Sequence, residues 1–436
     1  MSNKVDSLIV GAGPAGVSAA CTLAELGMSV LLIDQFPDLG GAVHRRPTHT
    51  AAKLSIPADH QQSWQELLHR LEKQDKQITL STGTQFVGRD ATGAVVLKNQ
   101  STNIAHYVIT DSIVLAVGSV ENVLPISGWE LPGVVTAGGL QLSMKSAGAP
   151  PPGEVVLAGN GPLLLAVAAQ LIDMGKPPIA VIESGNPLRP QSSWFDIPPP
   201  YLREGASYLS KLLLNNVPWT RGATIKQIEK TQQAFRIQVQ KGRQVLEYHA
   251  DLVALHNGLV SNNYDLPGEN LDPALGTVIC HAGDCKEVLG ARAACASGKL
   301  AAETIVAAIG KHATTSTPVE LDIHRRAQSS LNRVFAPLYP PALDQLDDNT
   351  ILCRCEGKTV GDLRQLVRQD ALTGREVRLN GRFGMGRCRG RFCANAALSL
   401  LASYSGSQPQ PQDELGGHAR WPVKPISIRA LAELTK

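Results

Sequence analysis

The chain has 436 residues, enough for two or three domains with a sizeable core. With 43% hydrophobic and 18% charged residues it is an ordinary globular composition, not a disordered one. A net charge of +3 and only 4% aromatic residues leave no footprint for nucleic acid or an anionic membrane surface.

Ser7–Val10 reads as a short apolar strand and Gly11–Gly16 as a glycine-rich turn. Val17–Leu26 reads as an Ala/Leu helix stopped by Gly27, and Ser29–Ile33 as a second strand ending at Asp34. Gly11-Ala12-Gly13-Pro14-Ala15-Gly16 is therefore a GxGxxG in a βαβ setting. Gly11 permits the tight turn, Gly13 lets the backbone approach a pyrophosphate, and Gly16 allows close helix–strand packing. Pro14 and Ala15 open a helix whose N–H groups face the phosphates, and Asp34 is placed to accept bonds from ribose hydroxyls.

Farther on, Trp64, Leu67, Leu68 and Leu71 form a helical stripe in Gln61–Lys73, and short alternating strands run from Ile78 to Val117. A Pro/Gly break at Gly148–Gly153 precedes a second βαβ-like unit. Its parts are Val155–Ala158, the turn Gly159–Gly161, a helix over Leu163–Met174, and Ile179–Ile182 ending at Glu183. Leu164 stands where a third glycine belongs, which should push helix from strand. A nicotinamide site, another adenine nucleotide and a structural relic all stay open here. Asn186–Pro200 is predicted to be a long loop, followed by strand-like stretches to Leu255. Ala291–Ile309 is a helix rich in small residues. Cys280 and Cys285, like Cys21 and Cys295, read as packed, inert thiols. His44, Arg45, Arg46, His49 and His60 read as a solvated basic surface, and no triad-like constellation is visible.

Residues 313–349 read as a linker with an amphipathic helix around Leu321–Val334, and Ser405–Gly417 as polar and flexible. Between them lie Cys353-x-Cys355 and Cys388-x4-Cys393. Four clustered thiols suggest a [2Fe-2S] cluster or zinc before structural disulfides. The C-x-C spacing suits a zinc knuckle poorly, while the Gly/Arg run 384–393 frees amides toward sulfur and offsets thiolate charge. An empty or disulfide-paired module is the remaining alternative. No cleaved leader fits before the first strand, and the longest mostly apolar run, Leu163–Ile172, is far short of the ~20 residues of a spanning helix. A cytoplasmic location is expected, with membrane association only through a partner.

Three further features carry a resemblance. Gly40-Gly41 follows Asp34, Leu115-Ala116-Val117-Gly118 resembles a strand returning to the first domain, and Ala282-Gly283-Asp284 resembles a ribityl-binding GD pair. Together they resemble the glutathione-reductase-like flavoproteins with two dinucleotide-binding domains, which implies FAD in the first unit. On that resemblance Gly40, Gly41, Arg45, Gly118, Gly283 and Asp284 join the cofactor site. Asp284 alone would read as a turn or N-cap aspartate. Gly159, Gly161 and Glu183 are the candidates for a second nucleotide.

The module over 350–403 resembles the bacterioferritin-associated-ferredoxin-like [2Fe-2S] domain, with Cys353, Cys355, Cys388 and Cys393 as implied ligands. The whole chain, with Cys-Arg-Cys-Glu at 353–356, Trp129–Val134 and His256–Val260, resembles the α (A) subunits of opine oxidases. It is equally similar to those of D-hydroxyproline and dye-linked proline dehydrogenases and of hydrogen cyanide synthase. Ala42-Val43-His44 departs from the Gln and aromatic expected before Arg45, and Asp34 replaces a more usual Glu.

The expectation is an α/β two-dinucleotide-domain flavoprotein. Its first domain spans 1–141 and 250–312, its second 142–249, followed by the linker 313–349, the cluster domain and a tail over 404–436. The resemblance implies a FAD/[2Fe-2S] electron-transfer subunit. Its partners would be a β subunit like D-amino-acid or sarcosine oxidases and a small ferredoxin-like γ subunit. A second nucleotide (ATP or NAD(P)H) or a flavin at a subunit contact stays open. The rival expectation is a self-contained NAD(P)H-dependent reductase.

Overall fold

The computed structural model describes residues 4–47, 56–90, 92–190, 197–264, 266–273, 276–310, 318–339, 343–369, 373–406, 415 and 422–434. The first unit opens with β1 (Lys4–Val10), α1 (Pro14–Glu25) and β2 (Val30–Ile33), the two strands parallel with Val10 opposite Ile33. α2 (Ala58–Lys73) buries Trp64 and Leu67, as its stripe requires. β3 (Ile78–Ser81), β4 (Thr84–Arg89), β5 (Val95–Asn99) and β6 (Ala105–Leu115) complete the run. β6 is long enough to serve two neighbours, pairing antiparallel with β5 at its start and parallel with β1 at its end. The sheet order is β3-β2-β1-β6-β5-β4.

After β7 (Ser119–Glu121) the chain enters a second sheet. Its elements are β8 (Val134–Thr136), α3 (Ala137–Ala147), β9 (Val155–Asn160), α4 (Pro162–Asp173), β10 (Ala180–Glu183), α5 (Pro199–Leu214) and β11 (Trp219–Arg221). A three-stranded antiparallel sheet, β12 (Ala223–Lys230), β13 (Phe235–Lys241) and β14 (Gln244–Ala250), leads into β15 (Leu252–Asn257). The parallel order is β11-β10-β9-β15-β8. β16 (Leu259–Ser261) pairs with β7, and β17 (Val278–His281) returns to the first sheet beside β6. α6 (Ala291–Ala308) then crosses α1 so closely that a Cβ on Gly298 would lie 2.0 Å from the Ala15 carbonyl oxygen.

Two strands correct the sequence division. β8 and β15 belong to the second sheet, so the units exchange at β7 and β16 and not at 142 and 250. The helices α3 and α5 also depart from the sequence pattern. Pro198-Pro199-Pro200 reads as a breaker, yet prolines are harmless in a first helical turn, and Leu212 is buried behind them. α3, for which the sequence gives no helix expectation, starts at Ala137-Gly138-Gly139, where Thr136 caps it by accepting from the Gly139 N–H.

The linker carries the amphipathic helix expected around Leu321–Val334. α7 (Pro318–Val334) buries Leu321 against Leu289, Ala293 and Ala296, and Leu331, Val334 and Phe335 in the second unit's core. The cysteine module follows: β18 (Ile351–Cys353), β19 (Lys358–Thr359), α8 (Val360–Arg368), α9 (Gly374–Gly381) and α10 (Ala394–Ser405). Reciprocal capping boxes, Thr359 with Asp362 and Thr373 with Glu376, start α8 and α9. Its core of Leu352, Val360, Leu363, Val377, Phe383, Ala397 and Leu401 also takes in Tyr264. Trp129 donates from Nε1 to the Ile351 carbonyl at 2.6 Å, tying the module to the loop before β8. The closing segment carries α11 (Ile428–Ala432), with Val423 buried among Leu8, Val10 and Ile33 of the first unit. The flexible stretch expected at Ser405–Gly417 lies mostly outside the described residues. No described helix is long and apolar enough to cross a membrane.

Candidate functional site

The carboxyl ends of β2, β1, β6 and β17 bring the first set of candidates together. Gly11 has φ +106°, and a Cβ there would lie 2.4 Å from the Ala116 carbonyl oxygen. A Cβ on Gly16 would lie 1.8 Å from the Gly11 oxygen, so only glycine lets α1 start this close to β1. Gly40 donates to the Ala12 carbonyl at 2.8 Å, and Gly41 faces Gly13 backbone to backbone. α1 has no side-chain cap and no acidic residue in its first turn, which leaves its amides for an anion. Gly118 has φ +72° and open space above it. The donor set and the Cβ-free cradle fit a dinucleotide pyrophosphate.

Asp34 is tied down on both oxygens, by Ala12 N–H at 2.7 Å and Phe36 N–H at 2.8 Å. Asp284 accepts from Leu289 and Gly290 N–H just ahead of α6, and burial raises its pKa. It therefore does fasten that turn, and its other oxygen meets Ser119 Oγ at 3.4 Å. Gly283 packs against Ala15 where a Cβ would lie 2.8 Å away. Arg45 donates to the Gly41 carbonyl and lies 3.8 Å over the Phe36 ring.

The reading of a solvated basic surface does not fit His44. It is 5% exposed and stacks on Trp64, centroids 4.8 Å apart. Burial, then His60, Lys145 and Arg46, pulls its pKa down to about 4, so it is neutral at pH 7. His60 is half-buried, and His49 lies outside the described residues. Sequence reasoning missed Lys145. This buried lysine of α3 donates to the Ala42 and Val43 carbonyls just past Gly41, and its one signal was a cation beside the apolar positions Leu140 and Met144.

The second turn is built differently. A Cβ on Gly159 (φ +136°) would lie 1.7 Å from the His256 carbonyl oxygen, and Gly161 (φ +105°) caps α4. Leu164 is fully buried in a core with Val155 and Leu157. Glu183 has no solvent exposure. It accepts from Gly185 N–H at 3.3 Å and from Gly161, and burial raises its pKa to about 8. The segment after α7 runs over it: Leu338 N–H donates to the Ser184 carbonyl, and Pro337 bridges Gly185. Glu183 therefore does not face an open crevice. Nearby, buried His256 and Glu121 pair at 2.6 Å, and the other Glu121 oxygen accepts from Gly138 N–H.

The four cysteines pair across the sequence, Cys353 with Cys393 and Cys355 with Cys388. The Cys393 thiol and the amides of Gly384, Glu356 and Cys355 pull Cys353 down to about 6, and Cys393 is pushed up in return. Amides of Gly390 and Phe392 point to Cys388. Cys353 and Cys393 are buried and Cys355 is exposed. Among the described residues no group of three or more potential ligands surrounds one ion position. Four thiols brought together in this way can hold a two-iron cluster or a single zinc ion. The site opens on a cleft of about 960 Å³, walled opposite the cysteines by Trp129, Gly133–Thr136 and Asn257. By contrast, Cys280 and Cys285 are buried free thiols pushed up to about 12, unsuited to redox exchange.

The sequence profile of the pyridine nucleotide-disulphide oxidoreductases matches residues 5–279. The chain belongs to this family. It is 30% identical to the opine oxidase A subunit of Agrobacterium tumefaciens (strain Ach5), over 100% of this chain and 92% of the relative. It is 28% identical to the HcnB subunit of hydrogen cyanide synthase from Pseudomonas aeruginosa, over 98% of each. Among solved structures, L-proline dehydrogenase from P. horikoshii superposes with TM-score 0.67 at 17% identity, over 98% of this chain and 79% of that one, a likeness of fold. The chain is thus a two-dinucleotide-domain, FAD-dependent oxidoreductase, as its motifs and its resemblance to the opine oxidase A subunits imply.

Proposed function

We propose that this oxidoreductase is the electron-transfer subunit of a heteromeric amino-acid or opine dehydrogenase. FAD lies in the first unit and a [2Fe-2S] cluster on Cys353, Cys355, Cys388 and Cys393. A partner flavoprotein, like D-amino-acid or sarcosine oxidases, oxidises the C–N bond, and a small ferredoxin-like subunit completes the assembly. When bound, the flavin accepts an electron pair and releases single electrons, and the cluster carries one at a time.

The observation that carries this reading is the docking of the cysteine loop against the first nucleotide unit. Arg391, between Cys388 and Cys393, donates to Asn262 Oδ1 at 3.3 Å, and Asn262 N–H donates to the Gly118 carbonyl at 3.1 Å. One short bonded bridge thus joins the cysteine loop to the end of β6. The chain's own residues hold the cofactors: the glycine cradle receives the diphosphate, Asp284 fixes the turn beside it, and the amides around Cys353 favour thiolate. Exposed Cys355 faces the cleft where a partner can approach. The relatives named as subunits support the assembly. Sealed Glu183 argues against the self-contained NAD(P)H reductase.

The test is reduction of the isolated chain and of the chain co-purified with its partner. Bleaching of the flavin by an amino acid or opine only with the partner supports the proposal. Rapid bleaching by NADH or NADPH in the isolated chain overturns it.

A further inference from the structure

We infer that Phe335–Leu338, the stretch leading from α7 toward the cysteine module, is a strap that competes with an adenine nucleotide for the ribose end of the second nucleotide unit. In the strapped form the unit is closed by its own chain.

The parts of a nucleotide site lie beneath it. Gly159 (φ +136°) and Gly161 (φ +105°) shape the turn, and α4 opens without a side-chain cap or an acidic residue in its first turn. Leu164, in place of a third glycine, is absorbed in the core with Val155 and Leu157. Glu183 ends β10, the position from which an acidic side chain meets a ribose.

The strap lies directly past that position. Leu338 N–H donates to the Ser184 carbonyl at 3.0 Å, and Pro337 forms an isolated antiparallel bridge with Gly185. Glycine at 185 admits the strap, since a Cβ there would lie 2.7 Å from the Phe335 carbonyl oxygen and 2.8 Å from that of Ala336. Gly222, whose N–H donates to the Gly185 carbonyl, makes room for Leu338, whose Cδ1 would lie 2.8 Å from a Cβ there.

Two observations mark the strap as a stand-in for a ligand. It leaves polar atoms unmet: Glu183 is fully buried, yet neither its Oε2 nor Asn186 Oδ1 has a partner among the described residues. Pro337 has no N–H to offer them, and a buried polar atom without a partner costs free energy. A ribose diol brings hydroxyls to that place. The strap is also held unevenly. Phe335 is 5% exposed in the second unit's core, whereas Leu338 and Tyr339 are 37% and 59% exposed. It is anchored at its start and lightly covered at its far end, where lifting it uncovers Glu183. The ligand class is set by the adenosine diphosphate moiety, its ribose toward Glu183 and its phosphates toward α4.

The test uses the full chain with its flavin bound and ADP as the probe, followed by calorimetry and by amide hydrogen exchange over Ala336–Tyr339. In the wild type, ADP should bind and speed exchange in that stretch. Leu338→Pro removes the donor to Ser184, and Leu338→Gly removes the side chain set against Gly222. Each should bind ADP about tenfold more tightly, because apparent affinity scales with the open fraction. Wild-type affinity in both variants overturns the inference. So does ADP binding to the wild type with exchange over Ala336–Tyr339 unaltered, a result that needs no variant to fold, and so does failure of all three proteins to bind ADP. NADH and ATP then separate the sources of the moiety. NADH that lifts the strap and rapidly bleaches the flavin supports the strap and overturns the electron-transfer role proposed above. Either nucleotide lifting the strap without bleaching supports both.

Discussion

Replacing Lys145 by methionine probes how the second unit grips the loop beside the first nucleotide cradle. Lys145 is 4% exposed, and its Nζ donates to the Ala42 and Val43 carbonyls at 2.9 and 3.1 Å. Burial, with Arg45 second, pulls its pKa from 10.5 to about 8. That lowering corresponds to about 3 kcal/mol against the charged form in the fold. Below the folded value both states hold the proton, so this cost is fully present near neutrality. Between about 8 and 10.5 the unfolded chain keeps a proton that the folded chain has lost, so stability rises with pH.

Methionine removes the desolvation cost and also two bonds from a charged donor, each worth roughly 1.5–3 kcal/mol. The terms oppose each other near pH 7, so the slope, and not the stability at one pH, discriminates. The wild type should gain about 2–3 kcal/mol between about pH 7 and pH 10 that Lys145→Met does not. The raised thiols Cys21, Cys280 and Cys285 act oppositely, since their unfolded forms ionise first, but they are common to both proteins and drop out of the difference. Urea unfolding under reductant, followed by tryptophan fluorescence across that range, reads the effect. Parallel stability–pH curves for the two proteins would refute the buried, charge-bearing role of Lys145.

Gly16→Ala should lift α1 off β1, since its Cβ would lie 1.8 Å from the Gly11 oxygen. The purified variant should lack the flavin absorbance of the wild type, and a fully flavinated variant contradicts this. Trp129→Phe deletes the bond to the Ile351 carbonyl and should loosen the module by about 1–3 kcal/mol. Faster amide exchange in β18 and α8, with β9 and β10 unchanged, is the expected pattern. Cys353→Ser should abolish cluster iron while leaving FAD content nearly intact, measured by iron analysis and flavin release on the same sample. Loss of both together contradicts separate sites.

Local signals made much of this site readable. GxGxxG with Asp34, the Gly283-Asp284 pair and the four cysteines each need particular residue types at short spacing, so pattern and mechanism coincide there. What stayed hidden depends on distant packing. α5 lies behind three prolines that a first helical turn tolerates, and α3 behind Ala-Gly-Gly, where the Thr136 cap outweighs weak propensity. β15 joins the second sheet because its partner β9 lies nearly a hundred residues earlier, which no local window reports. His44 reads as solvated among charged neighbours, and only Trp64 from α2 shows that it is buried. Lys424 bonds Gln35 and Arg391 bonds Asn262 across long sequence separations, contacts invisible to spacing.

The most direct test of the account is low-temperature EPR and visible spectroscopy of the anaerobically purified complex during reduction by an amino acid or opine. The account predicts bound FAD and a rhombic [2Fe-2S] signal that appears only when the partner subunit is present. A chain with zinc or no metal on its four cysteines, or a flavin reduced without the partner, would contradict it.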